Sequence, residues 1–195
     1  YRTIIGALDA LRSERERTGI KLPILAGLCT INKRNADQLV DVYDAFRDRL
    51  DFMIFYLSWW IDEDAAARHT ADFERRFGSK PTRHNGWVGG WRPTDYAGLS
   101  NQLKALLKRG MSPGGPGVFI LPHLTEPADL ERYYTDHDAT FGFNRCSSIY
   151  RAVEINSNGD MSPCRDYNDL VVGNIKDQTI TEIWNRRVAA LPRRT

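Results

Sequence analysis

The sequence predicts an α/β protein: a parallel sheet with helical crossovers, followed by a small antiparallel appendage. Three observations carry this reading. Three short apolar runs, at residues 22–31, 52–60 and 118–121, are each followed by one or two segments of helical period, which is the order of βαβ units. The pattern changes at Phe143, after which residues alternate about Ser157-Asn158-Gly159-Asp160, a hairpin signal. Three strands are also too few to close a barrel, so the body is an open sheet or part of a barrel.

Taken in order, residues 3–17 place Ile4, Leu8 and Leu11 at helical spacing, and Thr18-Gly19 stops that helix. The run 22–31 (LPILAGLCTI) is nearly all apolar, as expected of a parallel strand buried on both faces. Asn35 is placed to N-cap a helix from Ala36 to about Arg49, with Leu39, Val42, Tyr43 and Phe46 on one face. The second run, 52–60 (FMIFYLSWW), precedes a helix over 62–77 that Gly78 closes. Residues 79–93 carry three glycines and two tryptophans with no period, and so read as a long functional loop. A helix over 96–109 follows, capped by Thr94 or Asp95. The third strand is 118–121 (VFIL), and a helix over 127–136 begins with Pro127. In the appendage, 151–156 (RAVEIN) alternates, Asn158-Gly159 turns, a return strand starts at Met161, and 179–188 forms a short helix. The expected division is a body of residues 1–140 and a module of residues 141–195.

Charge separates several function classes. The net charge is +2, with basic and acidic residues interleaved, which favours neither a nucleic-acid patch nor a membrane surface. No apolar run approaches the roughly 20 residues of a membrane-spanning helix. Three cysteines make no disulfide framework, which points to a reducing, cytoplasmic compartment. The chain starts at Tyr1 and ends at Leu191-Pro-Arg-Arg-Thr195 with no polar tail; both ends read as cuts in a longer protein.

The informative pair is Cys146 and Cys164, with seventeen residues between them and Gly159 five positions before the second. A hairpin turning at Asn158-Gly159 carries Cys164 back to lie about opposite Val153, and Pro163 suits a strand end beside a site. Thiolates are natural ligands of iron–sulfur clusters because soft sulfur binds iron strongly. Spacing alone leaves two other readings open: buried free thiols and, in an exported protein, a disulfide.

The company these cysteines keep is more specific. The run of Cys146, Glu154–Gly159, Gly159-x4-Cys164, Gly173-Asn174-Ile175 and Ile183-Trp184 resembles the SPASM/twitch auxiliary-cluster domain of radical S-adenosylmethionine (SAM) enzymes. The resemblance implies that the three strands are the fourth, fifth and sixth of a partial (β/α)6 radical SAM barrel, followed by a small β-hairpin-plus-helix SPASM/twitch module. It implies a [4Fe-4S] cluster held by Cys146 and Cys164, and S-adenosyl-L-methionine as the second cofactor. The implied activity is reductive cleavage of SAM and hydrogen abstraction from a peptide or small-molecule substrate, with flavodoxin or ferredoxin as reductant and neither nucleic acid nor membrane as partner. The family's catalytic cluster sits in a Cys-x3-Cys-x2-Cys loop, which this sequence lacks, and its auxiliary clusters take further cysteines, none of which follows Cys164. The expectation is that an intact parent carries the catalytic loop upstream and at least two cysteines downstream. The alternative is a non-catalytic iron–sulfur or partner-binding α/β module, and the plainest reading is an α/β domain whose cysteines are ordinary core residues.

In parallel α/β folds ligands sit at the carboxyl ends of the strands. By resemblance, SAM touches that rim, where Thr30, Asn32, Ser58, Pro122 and His123 are the candidates; ordinary strand-to-helix turn chemistry is the alternative for each. Trp59 and Trp60 either wall a pocket or cover the open side of the barrel. Trp87 and Trp91, among Gly86, Gly89 and Gly90, form either a lid or a structural loop. Cys29 reads as a small core residue. His69, His84, His123 and His137 share no metal-ligand spacing and read as surface or rim residues. Asp166-Tyr167 reads as part of the auxiliary module, or else as a solvated loop.

Overall fold

The computed structural model describes residues 2–188, with side chains through 186. The chain ends noted above, Tyr1 and 191–195, lie outside the described residues. Two compact units form. One comprises the residues up to Trp59 with Trp91–His137, and the other Trp60–Gly90 with the residues from Asp138 on.

The first unit holds a three-stranded parallel sheet in the order β1 (Ala26–Ile31), β2 (Phe52–Leu57) and β3 (Gly117–Leu121). Leu28 pairs with Ile54 and Ile54 with Phe119. The helices are α1 (Arg2–Thr18), α2 (Leu39–Phe46), α4 (Tyr96–Gly110) and α5 (Pro127–Thr135), while α3 (Glu63–Phe77) belongs to the second unit. Helix α4 packs against β3 and between α2 and α5. The core lies between α2, α4 and α5 and one sheet face: Ile31, Met53, Phe55, Leu57 and Ile120 meet Leu39, Tyr43, Leu99, Leu103, Leu106, Leu130 and Tyr134, all buried.

The other sheet face is not covered. Leu28 is 69% exposed and Phe119 55%, with Tyr56 and Leu121 also open. This corrects the expectation of a first strand buried on both faces. Helices α2, α4 and α5 cover one face, so the strand alternates in burial along its length. The strand is also shorter than its apolar run, because residues 21–25 approach it without pairing. Among the described residues no barrel closes, and no helix is long and apolar enough to cross a membrane.

Local chemistry explains where most helices begin and end. Asp62 accepts from Ala65 N at 2.6 Å and Gly78 closes α3 at φ 68°. Asp95 caps α4 by accepting from Gly98 N at 2.7 Å. Helix α2 departs from expectation. Asn35 does not cap it; its side-chain oxygen accepts from Asn32 N at 2.8 Å and its amide donates to Thr30 O at 3.0 Å. That turn consumes residues 32–38, so the helix starts at Leu39 and ends at Phe46.

The C-terminal module contains a second sheet, antiparallel, of β4 (Glu154–Ile155), β5 (Asp160–Ser162) and β6 (Gly173–Asn174). The hairpin forms at the expected place with a different turn. Gly159 has φ 92° while Asn158 does not take a positive φ. Gly159 N donates to Asn156 O at 2.8 Å and Asn156 N to Asp160 O at 2.9 Å. This is a three-residue loop, a type I turn followed by a left-handed glycine, rather than a type I′ turn. The register pairs Glu154 with Ser162; carried past the strand end at Pro163, it sets Cys164 against Ala152, one residue from the expected partner.

Helix α6 (Ile180–Ile183) starts with a capping box between Thr179 and Glu182 and runs into a π-helical turn, Trp184–Val188. Gly173 is fixed by this packing, since a Cβ there would lie 2.7 Å from Ile183 Cγ1. Met161, Val172 and Ile183 form the buried cluster, with Val153, Leu170 and Trp184 packed against it.

Candidate metal centre

Cys146 and Cys164 are both free thiols, the first exposed and the second half-buried. Cys146 precedes a short 3-10 turn at Ser148–Tyr150, and Cys164 follows the end of β5. Ser162 fixes the backbone there: its hydroxyl donates to Cys164 O at 3.0 Å and accepts from Cys164 N at 3.3 Å. Because Ser162 is fully buried, these two bonds also satisfy its hydroxyl. The loop then runs through Asp166, whose carboxyl is pushed up by burial, against the nearby Arg165 and with Glu154 adding to the rise.

Asn174 locks the hairpin tip to β6. Its amide donates to Asp160 Oδ1 at 3.0 Å and Asn158 O at 3.3 Å, and its oxygen accepts from Lys176 N at 2.9 Å. The Gly-Asn-Ile motif therefore has a physical content. The glycine makes room for Ile183, the asparagine ties the turn, and Ile175 N continues the ladder to Gly159 O at 2.9 Å.

The donor chemistry suits an iron–sulfur cluster, and the donor number covers half of a four-thiolate set. Among the described residues no group of three or more His, Cys, Asp or Glu is arranged to hold a metal. Cys29 lies in the other unit, on the helix-covered face of β1, with Asn35 Nδ2 at 3.6 Å from its sulfur. Burial pushes its thiol up, which opposes thiolate formation.

Thr30, Asn32, Ser58, Pro122 and His123 all sit at the carboxyl end of the sheet, since the strands are parallel and Thr30, Tyr56 and Leu121 are in register. Thr30 and His123 are exposed, and Asn32, Ser58 and Pro122 are half-buried. Asn32 is engaged in its turn: its amide donates to Thr30 O at 3.1 Å and its oxygen accepts from Arg34 N at 2.9 Å. A cleft of about 390 Å³ borders this end, lined among others by Lys33, Asp37, Trp91, Asp95 and Gln102. Another, of about 490 Å³, opens at the opposite ends of the strands beside Arg15 and Asp51, where Arg15 donates to both Asp51 oxygens at 2.9 and 3.1 Å. It touches neither rim nor cysteines.

Among the tryptophans, Trp60 is buried and its ring fills the space a Cβ on Gly90 would occupy, whereas Trp59 is exposed. Trp87 and Trp91 fall in different units. The histidines are corrected most clearly. His84, read as a surface or rim residue, is fully buried, and His69 Nε2 is shielded. Sequence reasoning missed them because neither stands at a periodic or ligand spacing; they meet only through the packing of α3 against the turn at Arg83–Trp87. Tyr167 joins them, with its ring 4.6 Å from that of His69.

Comparisons with curated proteins and with solved structures return no match. Residues 146–193 match the family model described as SPASM, an iron–sulfur cluster-binding domain, so the C-terminal part of this chain carries the pattern of that domain.

Proposed function

We propose that this chain is part of a radical SAM enzyme whose C-terminal module holds an auxiliary [4Fe-4S] cluster through Cys146 and Cys164. The match over residues 146–193 carries the reading, because SPASM domains are typical of such enzymes. Two free thiols bracketing a hairpin, one held at its backbone by buried Ser162, supply the ligands. A bound cluster supplies one-electron transfer.

The body supports the same reading. Its parallel strands present an apolar face that no described element covers, with Leu28, Tyr56, Phe119 and Leu121 open, and the inner wall of a partial barrel has this character. Thr30, Asn32, Ser58, Pro122 and His123 then form the rim for S-adenosyl-L-methionine. The reaction class is reductive cleavage of SAM with hydrogen abstraction from a peptide or small molecule, and the electron comes from a flavodoxin or ferredoxin in the cytoplasm.

A second reading, a non-catalytic iron–sulfur or partner-binding module, is favoured by the sequence having two candidate ligand cysteines and no Cys-x3-Cys-x2-Cys loop. The parent protein isolated without oxygen separates the two. Under the enzyme reading it contains more than one cluster and cleaves SAM on reduction. Cys146→Ser or Cys164→Ser lowers its iron content, while Cys29→Ser leaves it unchanged. A colourless, iron-free parent would sink the enzyme reading, and an iron-bearing parent inert toward SAM would select the module.

A further inference from the structure

The loop after Cys164 is pinned at two points to a distant part of the chain. At the first, Tyr167 sits in a ring stack. Its ring lies 4.6 Å from His69 and 6.4 Å from His84, and the two imidazoles are 4.7 Å apart. At the second, the Asp169 carboxylate accepts from Thr82 N at 3.0 Å and Arg83 N at 2.9 Å, which caps the turn Arg83–Trp87. His84 lies between these points: its Nε2 is 3.1 Å from Thr70 Oγ1, while its buried Nδ1, 4.0 Å from Asp169 Oδ2, makes no hydrogen bond among the described residues. Thr70 gives its own hydroxyl proton to Ala66 O at 2.9 Å, so His84 Nε2–H is the donor to Thr70. The platform is rigid, because α3 carries His69 and Thr70 and is capped at both ends.

Between these anchors and β5 the chain has little of its own to hold it. Residues 163–172 contain no helix or strand. Backbone bonds within the loop are few, Leu170 N to Tyr167 O at 3.4 Å and Val171 N to Asp169 O at 3.1 Å. Tyr167 follows Cys164 by three positions, so its place in the stack limits where the loop can run on leaving β5. The direction taken by the loop at Cys164 is therefore set on one side by Ser162 and on the other by the stack.

We propose that His69, His84 and Tyr167, with the Asp169 cap, form a positioning device for the Cys164 thiolate. None of these residues is a ligand; they act by holding the loop against α3 and the turn at Arg83–Trp87. The proposal rests on Cys164 being a cluster ligand, and its test separates the two claims.

The first arm needs no metal. In the full chain carrying Cys29→Ser and Cys146→Ser, Cys164 is the sole thiol, and its rate of reaction with an aromatic disulfide reagent is followed. Tyr167→Ala and His69→Ala release the loop and speed the reaction roughly tenfold. Tyr167→Phe and His69→Phe keep the rings and leave the rate near that of the parent. Equal rates in all four, with unchanged circular dichroism, overturn the device whether or not iron binds. If Tyr167→Ala fails to fold, the His69→Ala and His69→Phe pair decides alone. The second arm uses the parent protein, reconstituted with iron and sulfide. Tyr167→Ala alters the electron paramagnetic resonance signal of the reduced cluster, and Tyr167→Phe restores it. A signal identical in Tyr167→Ala overturns the device. Iron content of the parent protein left unchanged by Cys164→Ser, with the thiol rates as expected, fails the ligand assignment of Cys164 and retains the loop restraint.

Discussion

In the sheet body, Ile31, Leu39, Tyr43, Phe55, Leu103, Leu106, Ile120, Leu130 and Tyr134 are each within 2% of full burial. Beneath the hairpin the buried cluster is Met161, Val172 and Ile183. At about 1.5–3 kcal/mol for each large apolar side chain removed from water, the body has ample cohesion of the ordinary kind. The module instead relies on directed contacts: the Asn174 bonds to the hairpin, the Ser162 turn, the Thr179–Glu182 capping box and the Gly173–Ile183 approach. A fold held by area degrades gradually when trimmed. A fold held by a few specific contacts is sensitive to each, and gains most from an added ligand that binds only its folded form.

Four substitutions or conditions test this contrast, from the largest expected effect to the smallest. Phe55→Ala removes a fully buried ring from β2 and is expected to cost about 3–5 kcal/mol, read as a lowered midpoint in denaturant unfolding. A loss under about 1 kcal/mol would contradict the assignment of the sheet core. Gly173→Ala forces a methyl to within 2.7 Å of Ile183 and should cost about 1–3 kcal/mol, with Ile183→Val in the same chain recovering part of it. Hydrogen exchange should place the loss in the module and leave the amides of the parallel sheet protected.

Thr179→Ala deletes the cap that accepts from Glu182 N at 3.2 Å, and about 1 kcal/mol is expected. Glu182→Gln, which keeps an acceptor at N3, should lose less. The smallest effect is one of pH. Burial, then the neighbouring His84, holds His69 below its ordinary value of 6.5. The unfolded chain therefore takes up a proton there before the folded one does. The stability linked to His69 is fully present above about pH 6.5 and is lost as pH falls toward the lowered folded value. Unfolding midpoints between pH 7 and pH 5 should drop less in His69→Phe than in the parent; parallel curves would remove His69 from the account.

Much of the body is visible in local sequence. Runs such as FMIFYL and GVFIL announce strands, Asp62 and Gly78 bracket α3, and Pro127 opens α5, because each effect acts over a few residues. Structure and local pattern part company where two local options compete. Asn35 has the side chain of a helix cap, yet its amide and oxygen are taken by the turn at Asn32 and Thr30, so the helix is delayed. Asn158-Gly159 marks the hairpin, but the loop takes three residues because the left-handed position is filled by glycine alone. The strand at 26–31 is apolar throughout, although α2, α4 and α5 cover one of its faces.

The candidate site divides in the same way. Cys146 and Cys164, the hairpin between them and the Gly-Asn-Ile and Ile-Trp motifs are contiguous enough to be read in order along residues 146–184, and the family match covers the same stretch. His69, His84 and their meeting with Tyr167 and Asp169 have no local signature. More than eighty positions separate Thr82 and Arg83 from the carboxylate that caps them, and no periodicity spans that distance.

Local sequence specifies the set of elements and the two thiols, because propensity, capping and turn chemistry operate within a turn or a strand. The tertiary structure decided which sheet face stays open and which buried rings brace the loop at Cys164. Those outcomes depend on what else packs against each surface, and that is a property of the folded chain rather than of any stretch of it.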